Sequence, residues 1–268
     1  MPYLSPALNV MTSAARKAGR KLIRDFGEVE NLQISLKGPA DFVTVADQRT
    51  ERMLIEDLQK ARPGYPILTE ERGVIDGPDK SHRFIIDPLD GTTNFLHGIP
   101  HFAISVALER EGQLVSGVIY NPISDDIFIA EKGHGAYLND KRLRVAARKD
   151  LKVSLSATGI PFLGRGDEAD HQRFVKELHA VMETSAGIRR FGSASLDLAW
   201  VAAGRYDAFW EHKLAAWDIA AGILMVREAG GVVTDLSGGE RMLETGDILV
   251  ANEHLHPQLL KLLKSARQ

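Results

Sequence analysis

The sequence predicts a layered α/β fold, an α+β arrangement packed as one body. Three observations carry this. Helical periodicity opens the chain, strand-period segments joined by hairpin turns follow from Pro66, and strand and helix alternate after about Asp150. With 268 residues, 44% of them hydrophobic and 26% charged, the chain can bury a sizeable core as one large domain or two closely packed halves.

Leu8, Met11, Ala15, Ala18, Leu22 and Phe26 recur at helical spacing, which predicts an amphipathic first helix ending near Gly27. A second helix follows Val43-Thr44-Val45-Ala46-Asp47, with Leu54, Leu58 and Ala61 on one face, Asp47 in its first turn and Arg62-Pro63-Gly64 as its stop. Strand periods then appear at Ile67-Leu68, at Arg83-Phe84-Ile85-Ile86, and at Phe102, Ile104, Val106 and Leu108 alternating with Ala103, Ser105 and Ala107. Val115 to Tyr120 and Ile127 to Glu131 continue the series, linked by the turn residues of Arg110 to Gln113 and Asn121 to Asp125. An antiparallel sheet flanked by the first two helices is the expectation.

Beyond Asp150 the expected order is a strand at Val153 to Thr158, a helix from about Ala169 to Thr184 and a strand at Ile188 to Phe191. A helix from Ser193 to Ala203 and a strand at Tyr206 to Trp210 come next. A helix from Trp217 to Ala229 carries Ile219, Gly222, Ile223 and Val226 on one face and stops at Gly230-Gly231. Strands at Val232 to Thr234 and Ile248 to Ala251 and a terminal helix complete the chain. Without repeats or long linkers, residues 1–268 read as a single domain, with helices plus antiparallel sheet in 1–149 and an α/β half in 150–268.

The formal net charge of -3 supplies no global attraction for nucleic acid. With no cysteine, a metal must be held by oxygen or by some of the nine histidines, so a hard cation is the default. None of His97, His101, His134 and His212 forms a His-x-x-x-His pair on a helix, and they read as structural or surface residues. Met1 to Asn9 has no signal-peptide pattern, and the longest nearly apolar stretch, Ile219 to Val226, is too short to span a bilayer. The expected location is cytoplasmic.

Ile85-Ile86-Asp87-Pro88-Leu89-Asp90-Gly91-Thr92-Thr93-Asn94-Phe95 is the most informative stretch. A buried strand delivers two acids three residues apart, and Pro88 stiffens the turn between them. Gly91-Thr92-Thr93 then starts a helical turn whose free N–H groups suit a phosphate. Asp-Gly-Thr alone reads equally as a turn. Two acids after an apolar strand, with no adjacent basic residue, are costly to bury unless a cation is supplied. Apolar-then-acid patterns recur at Ile67-Leu68-Thr69-Glu70-Glu71, which also reads as a solvated turn, and at Ala215-Ala216-Trp217-Asp218, which also reads as a helix cap.

These residues carry a resemblance. The chain is similar to the inositol monophosphatase family, nearest its bacterial SuhB-like branch, over nearly its whole length. The signatures are Asp87 to Phe95 and Trp217-Asp218-Ile219-Ala220-Ala221-Gly222, joined by Glu70-Glu71, Lys37 and the run Asp41 to Asp47. The resemblance implies the α-β-α-β-α sandwich shared with fructose-1,6-bisphosphatase. It also implies that Glu70, Asp87 and the Leu89 carbonyl hold one Mg²⁺ while Asp87, Asp90 and Asp218 hold a second, with room for a third ion. Gly91 and Thr92 would cradle phosphate, Asp47 and Thr92 with Glu70 would orient and deprotonate the attacking water, and Glu211 would contact substrate hydroxyls. Arg189, Ala194 and Lys37 match further substrate-side positions, while His212-Lys213 departs from the small or apolar residues usual there.

The activity implied is Mg²⁺-dependent hydrolysis of a phosphate monoester, myo-inositol 1-phosphate first, with lithium inhibition. Sugar bisphosphates, adenosine bisphosphate and histidinol phosphate are the alternatives. The SuhB-like branch also implies association with RNA polymerase and antitermination factors, for which Arg189, Arg190 and Arg205 are candidate contacts. A homodimer is expected from the resemblance and from the apolar stretch Phe102 to Leu108, which reads equally as core.

Overall fold

The computed structural model describes residues 5–28, 34–38 and 41–267, with the backbone alone for 34–38 and 41–43. In chain order, α1 (Pro6–Phe26), the hairpin β1 (Ile34–Gly38) and β2 (Asp41–Thr44), and α2 (Val45–Ala61) come first. They are followed by β3 (Ile67–Thr69), β4 (Gly73–Ile75), β5 (His82–Asp90), the short α3 (Thr92–Leu96) and β6 (Ala103–Arg110). Next are β7 (Gln113–Asn121), β8 (Asp126–Glu131), β9 (Gly135–Leu138) and β10 (Lys141–Arg142). The remainder runs β11 (Leu155–Thr158), α4 (Glu168–Thr184), β12 (Gly187–Arg189), α5 (Ala194–Ala202), β13 (Ala208–Glu211) and α6 (Ala216–Glu228). It ends with β14 (Val232–Thr234), α7 (Met242–Thr245), β15 (Ile248–Ala251) and α8 (Leu255–Ala266).

Five layers result. An eight-stranded sheet, ordered β10-β9-β8-β7-β6-β5-β3-β4, carries α1 and α2 on one face and α5 and α6 on the other. A five-stranded sheet, β12-β11-β13-β15-β14, lies beyond α5, with α4 and α8 on its far side. This is the expected α-β-α-β-α sandwich. The large sheet is antiparallel except that β3 pairs parallel with β5, which corrects the wholly antiparallel reading. β4, β9, β10 and α7 carry too few periodic residues to stand out in sequence.

Sequence alternation assigns the sheet's two faces. Phe84, Ile86, Phe102, Ile104 and Val106 join Met11, Leu22, Leu54 and Leu58 of α1 and α2 in one core, whereas Ile85, Ala103 and Ala107 face the core containing α6. Phe102 to Leu108 is therefore buried inside one chain. It lends nothing to a dimer surface, because β6 is a central strand covered on both faces. Small residues on α6 and opposite it allow close approach. A Cβ at Gly222 would lie 2.4 Å from a Leu198 methyl carbon, and one at Gly117 would lie 3.1 Å from the Ala221 carbonyl oxygen. Ile219 to Val226 is buried all round, not on one face, since α6 has neighbours on both sides. Among the described residues no helix is long and apolar enough to cross a membrane.

Candidate metal and phosphate site

Asp87 and Asp90 are three residues apart, so an unbroken strand would point them to opposite faces. The pairing of β5 with β6 shifts between them: Asp87 faces Ser105 and Asp90 faces Ala103, three steps against two. This bulge turns both carboxylates into one cleft. Pro88 sits in the bulge, where its missing N–H costs no ladder bond, and the Leu89 N–H donates to Asp87 Oδ1 at 2.9 Å. The parallel register of β3, Thr69 to Ile86, places the next residue, Glu70, alongside Asp87.

Glu51 of α2, 1% exposed, fixes the Glu70 turn from behind. Its Oε2 accepts from Thr69 Oγ1 at 3.0 Å and from the Glu71 N–H at 2.9 Å, and its Oε1 pairs with Arg72 at 3.0 Å. The turn is thus built into the protein rather than being a solvated run.

Asp218 is not the cap residue of α6. It stands in the first turn and its Oδ2 accepts from the Ala215 N–H at 2.8 Å, the back-reaching half of a capping box, leaving its other oxygen for the cleft. Asp90 is held across 105 residues of chain: its Oδ2 accepts from Ser193 Oγ at 2.6 Å, the Ser195 N–H at 2.8 Å and Ser195 Oγ. Asp47, fully buried, caps α2 reciprocally with Thr44, and its Oδ1 accepts from Thr92 Oγ1 at 3.1 Å. Thr92 Oγ1 also lies 3.0 Å from the Leu89 carbonyl.

Gly91 opens α3 at φ +97°, and a Cβ there would press within 3.1 Å of the His101 carbonyl oxygen, so only glycine fits. Asn94 secures this turn by donating to the His101 carbonyl at 2.8 Å and the Phe191 carbonyl at 2.6 Å.

An open cleft collects Glu70, Asp87, Leu89, Asp90, Gly91, Thr92, Ala194, Glu211 and Asp218. Burial, then the charges of Glu70, Asp90 and Asp218, push the Asp87 carboxyl well above its ordinary value. Burial, then Asp90, does the same to Asp218. Such groups need a cation to stay ionised together. The oxygen-only donor set suits a hard cation such as Mg²⁺. As the side chains lie, no group of three or more acidic or histidine side chains among the described residues is gathered closely enough to hold a metal ion.

A sequence model of the Inositol monophosphatase family matches residues 4–268. The chain belongs to that family. The chain is 59% identical over 260 residues to the inositol-1-monophosphatase of Rhizobium meliloti, covering 97% of each protein. It is 43% identical to the Nus factor SuhB of Pseudomonas aeruginosa, again over 97% of each. The crystal structure of the extragenic suppressor protein suhB from Bartonella henselae superposes with a TM-score of 0.94 at 56% identity, covering 97% of this chain and 99% of that one. Inositol monophosphatase family members are generally metal-dependent, in keeping with the carboxylate wall.

Within this inositol monophosphatase fold, some expected residues fall elsewhere. Arg189 is exposed, with Nη1 on the Ile188 carbonyl at 3.0 Å, and does not line the cleft; its neighbour Arg190 does, because adjacent residues leave a strand end in opposite directions. Lys37 belongs to β1, and its side chain lies outside the described residues. Glu211 ends β13 at the cleft, its carboxyl pushed up to about 7 by burial and by Asp90, against the pull of Arg165 and Arg190. Of the four histidines in question, none lines the cleft; His212 instead bonds Glu177 at 2.9 Å and Asp247 at 3.2 Å. Sequence reading missed Glu51, Arg165, Ser193, Ser195 and Asp197. The only local signal was Gly192-Ser193-Ala194-Ser195, a helix-start composition.

Proposed function

We propose that this chain is a Mg²⁺-dependent phosphatase that hydrolyses a polyol phosphate monoester, myo-inositol 1-phosphate first among them. The observation that carries the reading is the convergence of Glu70, Asp87, Asp90 and Asp218 on one cleft beside the Gly91-Thr92 turn. Glu70, Asp87 and the Leu89 carbonyl would hold one ion and Asp87, Asp90 and Asp218 another, with two or three ions in all. Bound Mg²⁺ neutralises phosphoryl charge and lowers the pKa of water.

The chain's own groups supply orientation and proton transfer. With the Thr92 hydroxyl donating to Asp47 Oδ1, its oxygen keeps lone pairs that would accept a hydrogen from the attacking water. Asp47 takes the proton through Thr92, assisted by Glu70. Water oxygen then bonds phosphorus as the bond to the alcohol oxygen breaks, and the leaving alkoxide takes its proton from solvent water. N–H groups of the Gly91-Thr92 turn hold the phosphoryl oxygens, and Glu211 with Ala194 faces the alcohol part. No covalent phosphoenzyme is required.

The test is metal-stripped protein on inositol 1-phosphate, fructose 1,6-bisphosphate, adenosine 3',5'-bisphosphate, histidinol phosphate and an aryl phosphate, with phosphate release as readout. Activity returns with Mg²⁺ and is inhibited by Li⁺; full turnover in excess chelator overturns the proposal. A cytoplasmic homodimer belongs to the same reading, and light scattering giving a monomer mass would remove the dimer.

A second reading, association with transcription factors, is favoured by the resemblance to relatives named Nus factor SuhB. Arg189 and Arg205 are exposed, Arg205 lying 5.3 Å from the Trp200 ring centre. Co-purification with RNA polymerase and Nus factors, lost in Arg189→Glu, tests it.

A further inference from the structure

Asp197 is 2% exposed yet lines the cleft, and its Oδ1 has no hydrogen-bond partner among the described residues. A buried carboxylate oxygen without a donor is rare, because it has surrendered water and received nothing in return. The four metal-site carboxylates do not account for it. Asp197 stands on the first turn of α5, three and four residues beyond Ala194 and Ser193, so all three share one helical face, and all three line the cleft.

That face is rigidly referenced to the reacting centre. Ser193 and Ser195, at the start of the same helix, donate to Asp90. Glu211 lines the same cleft, and burial, then the charges of Glu211 and Asp90, push the Asp197 carboxyl well above the ordinary range, with Arg190 opposing. Two acidic side chains from α5 and β13 thus flank the space next to the Gly91-Thr92 turn. Acceptor groups at two points suit a ligand carrying several hydroxyls, whereas an aryl or simple alkyl ester offers them nothing.

We propose that Asp197 is a specificity-determining residue that takes a hydroxyl of the alcohol part of the substrate, paired with Glu211 of β13 in the same cleft. This rests on the phosphatase reading and adds a residue that reading does not use. Since Asp197 has no protein partner for Oδ1, removing it leaves no donor stranded, and its loss is read in selectivity instead of folding.

The experiment is Asp197→Ala and Asp197→Asn, compared with wild type in Mg²⁺ on inositol 1-phosphate and 4-nitrophenyl phosphate, with thermal melts. Selectivity, the ratio of kcat/KM for the polyol to that for the aryl ester, falls roughly tenfold or more in Asp197→Ala. It falls less in Asp197→Asn, which keeps an acceptor oxygen, and melting temperatures stay at or above wild type. Unchanged selectivity in Asp197→Ala overturns the assignment; should that variant not fold, unchanged selectivity in Asp197→Asn overturns it equally. Wild type that cleaves the aryl ester but no polyol phosphate also overturns it while leaving the phosphatase reading standing. Wild type inactive on both substrates in Mg²⁺ removes the phosphatase reading itself.

Discussion

The carboxylate of Glu211 occupies the space a side chain at Gly159 would fill: a Cβ there would lie 1.9 Å from Oε1 and 2.0 Å from Cδ. Glycine at 159 is therefore what lets Glu211 lean over the cleft. Gly159→Ala should displace Glu211 without unfolding the chain, because the clash is with the far end of a flexible side chain. Turnover of inositol 1-phosphate should fall more than that of an aryl phosphate, by roughly tenfold in the ratio, and Glu211→Gln should shift the ratio the same way. Equal losses on both substrates would assign Glu211 a general structural role.

Asp90→Asn removes the charge that would offset a cation but retains an oxygen able to accept from Ser193 and Ser195. The rate should fall roughly a thousandfold or more, about 4 kcal/mol of transition-state stabilisation, in a protein that remains folded. A Mg²⁺ titration of turnover alongside melts measures both. Near-normal turnover at unchanged metal demand would reduce Asp90 to a turn residue.

Ser195→Ala deletes one hydroxyl donor to Asp90 while the backbone N–H donor stays. A stability cost of about 1 kcal/mol is expected, together with a rise of roughly tenfold in the Mg²⁺ concentration for half-maximal activity, since Asp90 loses one of the donors that orient its carboxylate. Unchanged Mg²⁺ demand would separate α5 from the metal site.

Without metal, the raised carboxyls of Asp87 and Asp218 should make the chain more stable in mild acid. Each binds its proton more tightly folded than unfolded, so stability is present below the unfolded value of 3.8 and is lost as pH rises through the higher folded value. The melting temperature of metal-free protein should therefore decline from pH 5 to pH 8, with the decline flattened by Mg²⁺ or by Asp87→Asn. A melting temperature rising over that range would contradict the buried cluster.

His212 is pushed down by burial, but the hydrogen bonds and charges of Asp247 and Glu177 outweigh that and raise it overall. Its contribution to stability is full below its ordinary value of 6.5 and is lost as pH rises through the folded value. Arg267 also bonds Glu177, at 2.6 Å, so Glu177 keeps a partner when His212 is lost. In Mg²⁺-loaded protein His212→Gln should cost about 1–3 kcal/mol at pH 6 and less at pH 9. Denaturant melts at the two pH values would show it.

Much of this site was legible in the sequence because its parts are local strings. Asp87 to Phe95 and Trp217 to Gly222 carry their carboxylates and spacing in the chain itself, and Thr44 with Asp47 already spells a helix start. Element order followed from periodicity, which needs only neighbours three or four residues away in a helix and two in a strand.

What the tertiary structure alone decided are relations across the chain. Spacing by itself puts Asp87 and Asp90 on opposite faces; the bulge against β6 brings them together, and a bulge is a property of pairing register. The parallel partnership of β3 with β5 delivers Glu70, and α5 delivers the serines that hold Asp90 and leaves Asp197 without a partner. A hydrophobic pattern tells which faces must leave water, but not what will cover them. For that reason Phe102 to Leu108 could be read as a dimer surface, and α6 as one-sided, until the two sheets and their helices had been placed around them.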